Sequence, residues 1–76
     1  MESFDQQNGR EILARNLRRL RGERGLSQEA LAHKTGLSQT YLSQVEGGKR
    51  NISIDNISAL AKAFSISISE LLKNQV

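Results

Sequence analysis

Leu26-Ser27-Gln28-Glu29-Ala30-Leu31-Ala32-His33-Lys34-Thr35-Gly36-Leu37-Ser38-Gln39-Thr40-Tyr41-Leu42-Ser43-Gln44-Val45-Glu46-Gly47-Gly48 contains two helix starts and two helix stops. Ser27 and Ser38 stand where a hydroxyl accepts one of the unpaired N–H groups of a first helical turn. They predict one helix over about 28–34 and another over about 39–47. Leu31 and Ala32 face inward on the first, and Leu42 and Val45 on the second. Thr35-Gly36-Leu37 is the turn between them, with Gly36 free to take a positive φ that a Cβ resists. Gly47-Gly48 ends the second helix. Ala32 is small where the helices would cross.

The flanking sequence is helical too. Leu13, Leu17 and Leu20 share one face of a helix over about 10–24, while Arg15, Arg18 and Arg19 point away, and Gly25 suits its end. Ser53 predicts a further helix with Ile57, Leu60, Ala61 and Phe64 on one stripe. Isoleucine alternates with serine between Ile52 and Ile68, and Ile66-Ser67-Ile68-Ser69 alone matches a short strand. Ser67 and Glu70 instead have the spacing of a capping box ahead of Leu71 and Leu72, so a short helix over about 68–74 is expected. The expectation is an all-α, five-helix chain. It has a polar extension over 1–9 and a single domain over 10–74.

Composition agrees and excludes much else. The chain has 76 residues, 37% of them apolar, six glycines and no proline. That is globular, and too small for a deep catalytic pocket. It has no cysteine and one histidine, His33, so neither a thiolate zinc site nor a histidine metal cluster is expected, and no cofactor. His33 reads as an ordinary surface residue. Ser, His and Asp occur without any order that makes a triad, and no glycine-rich phosphate loop is present, so an enzyme is not expected. No apolar run is long enough to span a bilayer and the N-terminus is unlike a signal peptide. A cytoplasmic protein with no membrane partner is expected. The net charge of +3 is uneven, because the basic residues Arg10, Arg15, Arg18, Arg19, Arg21 and Arg24 crowd the first helix and Lys49 and Arg50 follow the third. A basic N-terminal part and a nearly neutral, Ile/Leu-rich C-terminal part point to an anionic partner and to a packing surface.

The third helix carries the chemistry. At about 100° per residue, Tyr41, Leu42 and Val45 lie on one side, and Gln39, Thr40, Ser43 and Gln44 lie opposite. The second set has no charge, only amides and hydroxyls. A merely solvated face usually carries charge, whereas amides and hydroxyls pair with base edges. Two short capped helices joined by a tight turn, the second with such a face, form a helix-turn-helix unit suited to reading double-stranded DNA. Lys49 and Arg50 lie where the chain would pass the phosphate backbone. Tyr41 is a ring at the core edge whose hydroxyl can reach a phosphate. Arg18 and Arg19 read first as an exposed helix face.

Ser27-Gln28-Glu29-Ala30-Leu31-Ala32, Thr35-Gly36-Leu37-Ser38 and Thr40-Tyr41-Leu42-Ser43-Gln44-Val45-Glu46 resemble the phage-repressor-type helix-turn-helix family, lambda-repressor-like or XRE. The resemblance covers about residues 10–73. The stretch from Thr40 to Ser53 is most similar to the controller proteins of restriction–modification systems, short dimeric repressor–activators. It departs from them at Gln39, where a basic residue is usual, and at Gly47, where arginine is. The resemblance implies a homodimer regulating transcription from a palindromic operator, with the third helix in the major groove. It implies base contacts from Gln39, Thr40, Ser43 and Gln44, and a Gln28 that touches phosphate and braces Gln39. It also implies a semi-buried ion pair between Arg21 and Glu46.

The C-terminal third, about 52–74, holds more apolar side chains than one small core needs. Ile52, Ile54, Ile66, Ile68, Leu71 and Leu72 are therefore expected at a dimer interface. A chain this short has no effector domain, so no small-molecule ligand is expected. The alternative function is a protein-interaction module such as an antitoxin, for which the only spare segment is the short polar stretch 1–9. RNA binding is disfavoured by the shortage of stacking rings, one Tyr and two Phe.

Overall fold

A computed structural model describes residues 9–74, which form five helices: α1 (Gly9–Arg24), α2 (Gln28–Thr35), α3 (Gln39–Glu46), α4 (Ile54–Ala63) and α5 (Ile68–Leu71). The expected polar extension lies, but for Gly9, outside the described residues. Among those described there is no strand, and the Ile66–Ser69 alternation belongs to a helix start. Four helices begin on serine. Ser27, Ser38, Ser53 and Ser67 accept from the N–H of Ala30, Tyr41, Asn56 and Glu70 at 2.9, 3.0, 3.1 and 3.0 Å. Each such cap contributes about 1 kcal/mol.

The helix ends differ slightly from those expected. Thr35 completes α2 instead of entering the turn, because its hydroxyl donates to the carbonyls of Leu31 and Ala32 at 2.9 and 3.2 Å. Gly36 then reverses the chain at φ 78°. The fifth helix stops at Leu71 rather than near Asn74. Asn16 of α1 accounts for this. It is 2% exposed on the same stripe as Leu13, Leu17 and Leu20. Its Nδ2 donates to the carbonyls of Leu71 and Lys73 at 2.6 and 2.9 Å. Those carbonyls are drawn sideways to α1 at the point where a helix would continue. A four-residue helix is unstable alone, so α5 depends on this clamp and on its own buried leucine.

The core gathers Leu13, Leu17, Leu31, Leu42, Val45, Leu60, Phe64 and Leu71, all at most 2% exposed. Leu71 thus corrects the expectation that it lies at a subunit surface: α5 turns it fully inward against α1 and α4. Ile54 is 61% exposed and Leu72 36%, while Ile52, Ile66 and Ile68 pack partly against the core. Helix α3 packs on both α1 and α2, and α2 also packs on α4. Helix α3 is therefore held from behind by two elements.

The end of α4 shows one uncompensated compromise. Ile66 N–H bonds to Ala61 O and Ser65 N–H to Lys62 O, both at 3.0 Å, the pattern of a Schellman stop. The left-handed position in it is filled by Ser65 at φ 58° rather than by glycine. A side chain there costs about 1–2 kcal/mol. Ser65→Gly should therefore raise stability by about 0.5–1 kcal/mol after its larger unfolded-state entropy is subtracted. Urea melts should show a higher midpoint with an unchanged slope.

Candidate nucleic-acid interface

The outward side of α3 is an uncharged polar strip. Gln39, Thr40, Ser43 and Gln44 are all exposed, and with the half-buried Gln28 they line one shallow depression. The inward side places Leu42 and Val45 at 0% and 1% exposure. The helix thus divides cleanly into a folding side and a presenting side, as its residue angles predict.

Its C-terminal end is fixed by charge. Glu46 is 5% exposed and meets Arg21 through two parallel bonds, Nε to Oε2 at 2.6 Å and Nη2 to Oε1 at 2.9 Å. Hydrogen bonding to Glu46 holds the Arg21 guanidinium above its ordinary pKa against the opposing effect of burial, and the Coulombic attraction adds to it. Arg21 also donates to Leu26 O at 3.0 Å, which ties the α1–α2 connection to the same centre. Arg18 donates through Nη1 to the backbone carbonyl of Glu46. A cation there satisfies an open carbonyl and suits the negative end of α3. Arg18 is therefore a brace for α3 and not merely part of a solvated face; the regular spacing of α1 gave no signal of this.

Gln28 departs from its expected role. Its Nε2 donates to Glu46 Oε1 at 3.2 Å, so the amide braces the buried carboxylate instead of Gln39. A carboxylate with its remaining lone pairs shielded from water is a stronger acceptor than a neutral amide.

Beyond α3, Gly48 turns the chain back at φ 72°, and Lys49 N–H closes on Gln44 O at 3.0 Å. The loop therefore leaves the outer end of α3 with Lys49 and Arg50 exposed beside the polar strip. Arg50 donates to Gln44 Oε1 at 2.7 Å and sits over the Tyr41 ring, 5.0 Å from its centre. The Tyr41 hydroxyl accepts from Asn56 Nδ2 of α4 at 3.2 Å, which leaves its own proton free to donate outward. No spacing or motif in the sequence announces this contact of Asn56 with Tyr41. At Gly47, φ is −88° and an added Cβ would meet only ordinary contacts, the nearest at 3.4 Å. The backbone does not require glycine there. Among the described residues there is no cluster of metal-ligating side chains, and no helix is long and apolar enough to cross a membrane.

A capped helix pair, one of whose helices offers an uncharged amide and hydroxyl strip flanked by cations, is the fold and site of a helix-turn-helix DNA-binding transcriptional regulator. Residues 17–71 match the helix-turn-helix family, and the chain belongs to it. The family is one of DNA-binding regulators rather than enzymes. Control protein C.SmaI of Serratia marcescens is 44% identical over 66 residues, spanning 87% of this chain and 79% of that protein. The crystal structure of the restriction-modification controller protein C.AhdI from Aeromonas hydrophila superposes with a TM-score of 0.78 at 45% identity, over 82% of this chain and 94% of that one. A hypothetical transcription factor from Neisseria superposes with a TM-score of 0.86 at 40% identity, over 97% and 85%.

The two halves of the ion pair differ in depth, which ranks their removal. Glu46→Ala leaves Arg21, whose side chain is 23% exposed, with a route to water and a bond to Leu26 O. Arg21→Ala leaves a carboxylate of 5% exposure held by Gln28 alone. Urea melts should place Glu46→Ala about 2–3 kcal/mol below the parent and Arg21→Ala about 1 kcal/mol lower still. The reverse order would mean that the carboxylate finds water when its partner is lost.

Proposed function

We propose that the chain is a homodimeric, sequence-specific regulator that binds a palindromic operator in the manner of restriction–modification controllers. The observation that carries this reading is the uncharged, exposed strip of Gln39, Thr40, Ser43 and Gln44 on a helix braced from behind. The likeness to C.SmaI and C.AhdI supports the controller assignment. The third helix enters the major groove with Gln39 deepest, since it lies at the N-terminal end of α3. Lys49, the outward N–H groups of Arg50, the Tyr41 hydroxyl and the polar edge of Gln28 meet phosphates and set the register. The chain acts as a binder and not a catalyst, in the cytoplasm, without a small-molecule effector. Its occupancy of an operator then follows its own concentration.

Gln39 has no hydrogen-bond partner among the described residues, so its amide is free to offer one donor and one acceptor. That pair matches adenine N6 and N7, whereas an arginine, with donors only, matches guanine N7 and O6. Selection from randomised operators should recover adenine at one position per half-site with the parent and shift that position towards G·C with Gln39→Arg. Gln39→Ala should cost about 1–3 kcal/mol on the selected operator and little on random DNA. Recovery of one and the same half-site by parent and Gln39→Arg would remove Gln39 as a base reader.

The dimer reading rests on the C-terminal side of the chain, on the exposed Ile54 and on a shallow recess that Ile52 and Leu72 line with Leu13 and Ile57. Ile66 and Ile68, already half covered by the core, contribute their outer edges. A two-fold contact through this side would set two recognition helices about one DNA turn, ~34 Å, apart. Sedimentation equilibrium should give a dimer at tens of micromolar, in the sense of roughly 10⁻⁵ M self-affinity. Ile54→Lys should yield monomer, with the urea midpoint that the parent shows when diluted well below its dimerisation concentration. A parent that stays monomeric at that concentration would exclude the arrangement.

A further inference from the structure

Arg50 is the one cation of the loop beyond α3 whose side chain is tied to the presenting strip. Its guanidinium lies over the Tyr41 ring at 5.0 Å, and its Nη1 donates to Gln44 Oε1 at 2.7 Å. Tyr41 is half-buried and anchored in turn by Asn56 Nδ2 at 3.2 Å. A continuous line of contacts thus runs from the first turn of α4, through an aromatic plane and a planar cation, to an amide on the outer face of α3. The polarity of the last contact is fixed by chemistry. A guanidinium has donors and no acceptor, so the end of the Gln44 amide that faces it is the carbonyl, and the end left over is the NH₂.

This changes what Gln44 can recognise. A glutamine with both ends free pairs with adenine, accepting from N6 and donating to N7. A glutamine whose carbonyl already accepts from a guanidinium keeps one lone pair, but the cation beside that oxygen repels a base amino donor and attracts a base acceptor, so donation through the NH₂ is the favoured contact. The base edges that accept without also demanding an acceptor in return are guanine N7 and O6 and thymine O4, while cytosine presents the N4 amino donor. We infer that Arg50 is a positioning residue for specificity: by holding the Gln44 carbonyl beside its own positive charge it biases Gln44 to donate, and so to favour an acceptor edge, guanine or thymine, over adenine. The inference rests on the reading of the outer face of α3 as base-reading. The two glutamines of the strip then have different roles: Gln39, with both ends open, matches adenine, and Gln44 does not.

The test is selection from randomised half-sites at fixed salt with the parent, Gln44→Ala, Arg50→Lys and Arg50→Ala, each paired with a salt titration. Gln44→Ala should make one position degenerate, at which the parent recovers guanine or thymine. Arg50→Lys keeps the charge but loses the planar fork and its stacking on Tyr41. It should shift that same position towards adenine by about fivefold or more, the scale of one lost base discrimination, with the slope of log K against log salt unchanged. Arg50→Ala should give the same shift and a slope smaller by about 1. Where Arg50→Ala binds too weakly to select, Arg50→Lys carries the comparison, and the position read by Gln39 is the internal control. If Gln44→Ala creates a degenerate position but both Arg50 variants keep the parent's base there, Arg50 serves phosphate alone; the inference is overturned while the reading of α3 stands. A parent that recovers adenine at the Gln44 position overturns it as well. If Gln44→Ala changes no position, Gln44 reads no base, and the reading of α3 fails at that residue together with the inference.

Discussion

A carboxylate that is 5% exposed sits at the end of the helix that carries the exposed polar strip, and the arrangement around it requires it to be matched. Glu46 belongs to α3, Arg21 to α1 and Gln28 to the first turn of α2, so one side chain joins three helices. Isolated, such a charge would cost several kcal/mol. Paired through two parallel bonds with a planar guanidinium, it is compensated only in one relative placement of α1 and α3. Apolar contacts tolerate sliding by fractions of an ångström, but a forked ion pair does not. The angle at which α3 presents its outer strip is therefore set by this pair more than by the leucines beneath it. Arg18, donating to the last backbone carbonyl of the same helix, removes the remaining freedom to fray at that end.

The same end of α3 is where the loop bearing Lys49 and Arg50 departs. Fixing Glu46 thus fixes the Gly48 reversal and the starting point of that loop. The positions of the loop cations relative to the exposed amides of α3 follow from one buried charge. This is an economical way to build a binding surface on 8-residue helices, which on their own would not stay formed. The four serine caps act in the same direction, since each defines a helix start within a chain too short to rely on core area alone.

Most of the architecture was legible in the sequence because its signals are local. A serine three residues ahead of the N–H it caps, a leucine stripe at helical spacing and a glycine at a left-handed turn are all defined within one or two turns of chain. The division of α3 into two faces was legible for the same reason. What could not be read was the identity of tertiary partners. Asn16 looked like one polar residue on an amphipathic helix, and nothing nearby in sequence indicated carbonyls 55 and 57 positions away. Gln28 had the residue type and place to brace Gln39, yet a buried carboxylate outcompetes a solvated amide for its NH₂. Leu71 was one of six surplus apolar residues, and only the turn of α5 selects which of them points inward. The Arg50–Gln44 bond spans six residues across a chain reversal and has no repeat or spacing to announce it.

The clean separation of the two faces of α3 has a consequence for how such a protein diverges. Side chains on the presenting strip contribute almost nothing to the core, and those in the core do not reach the partner. A copy of the gene can therefore change Gln39, Thr40, Ser43 or Gln44 without loss of folding, and present a different outer face while the frame stays as it was. Two such copies in one cell would share a fold and remain insulated from each other's sites. The exception is any residue that couples the two sides, and Arg50 is one. Because it touches both the Gln44 amide and a ring anchored on α4, a change at Arg50 alters how Gln44 is held while Gln44 itself remains in place. Drift in the loop between α3 and α4, outside the helix that carries the strip, is thus a second route by which related chains come to present different outer faces.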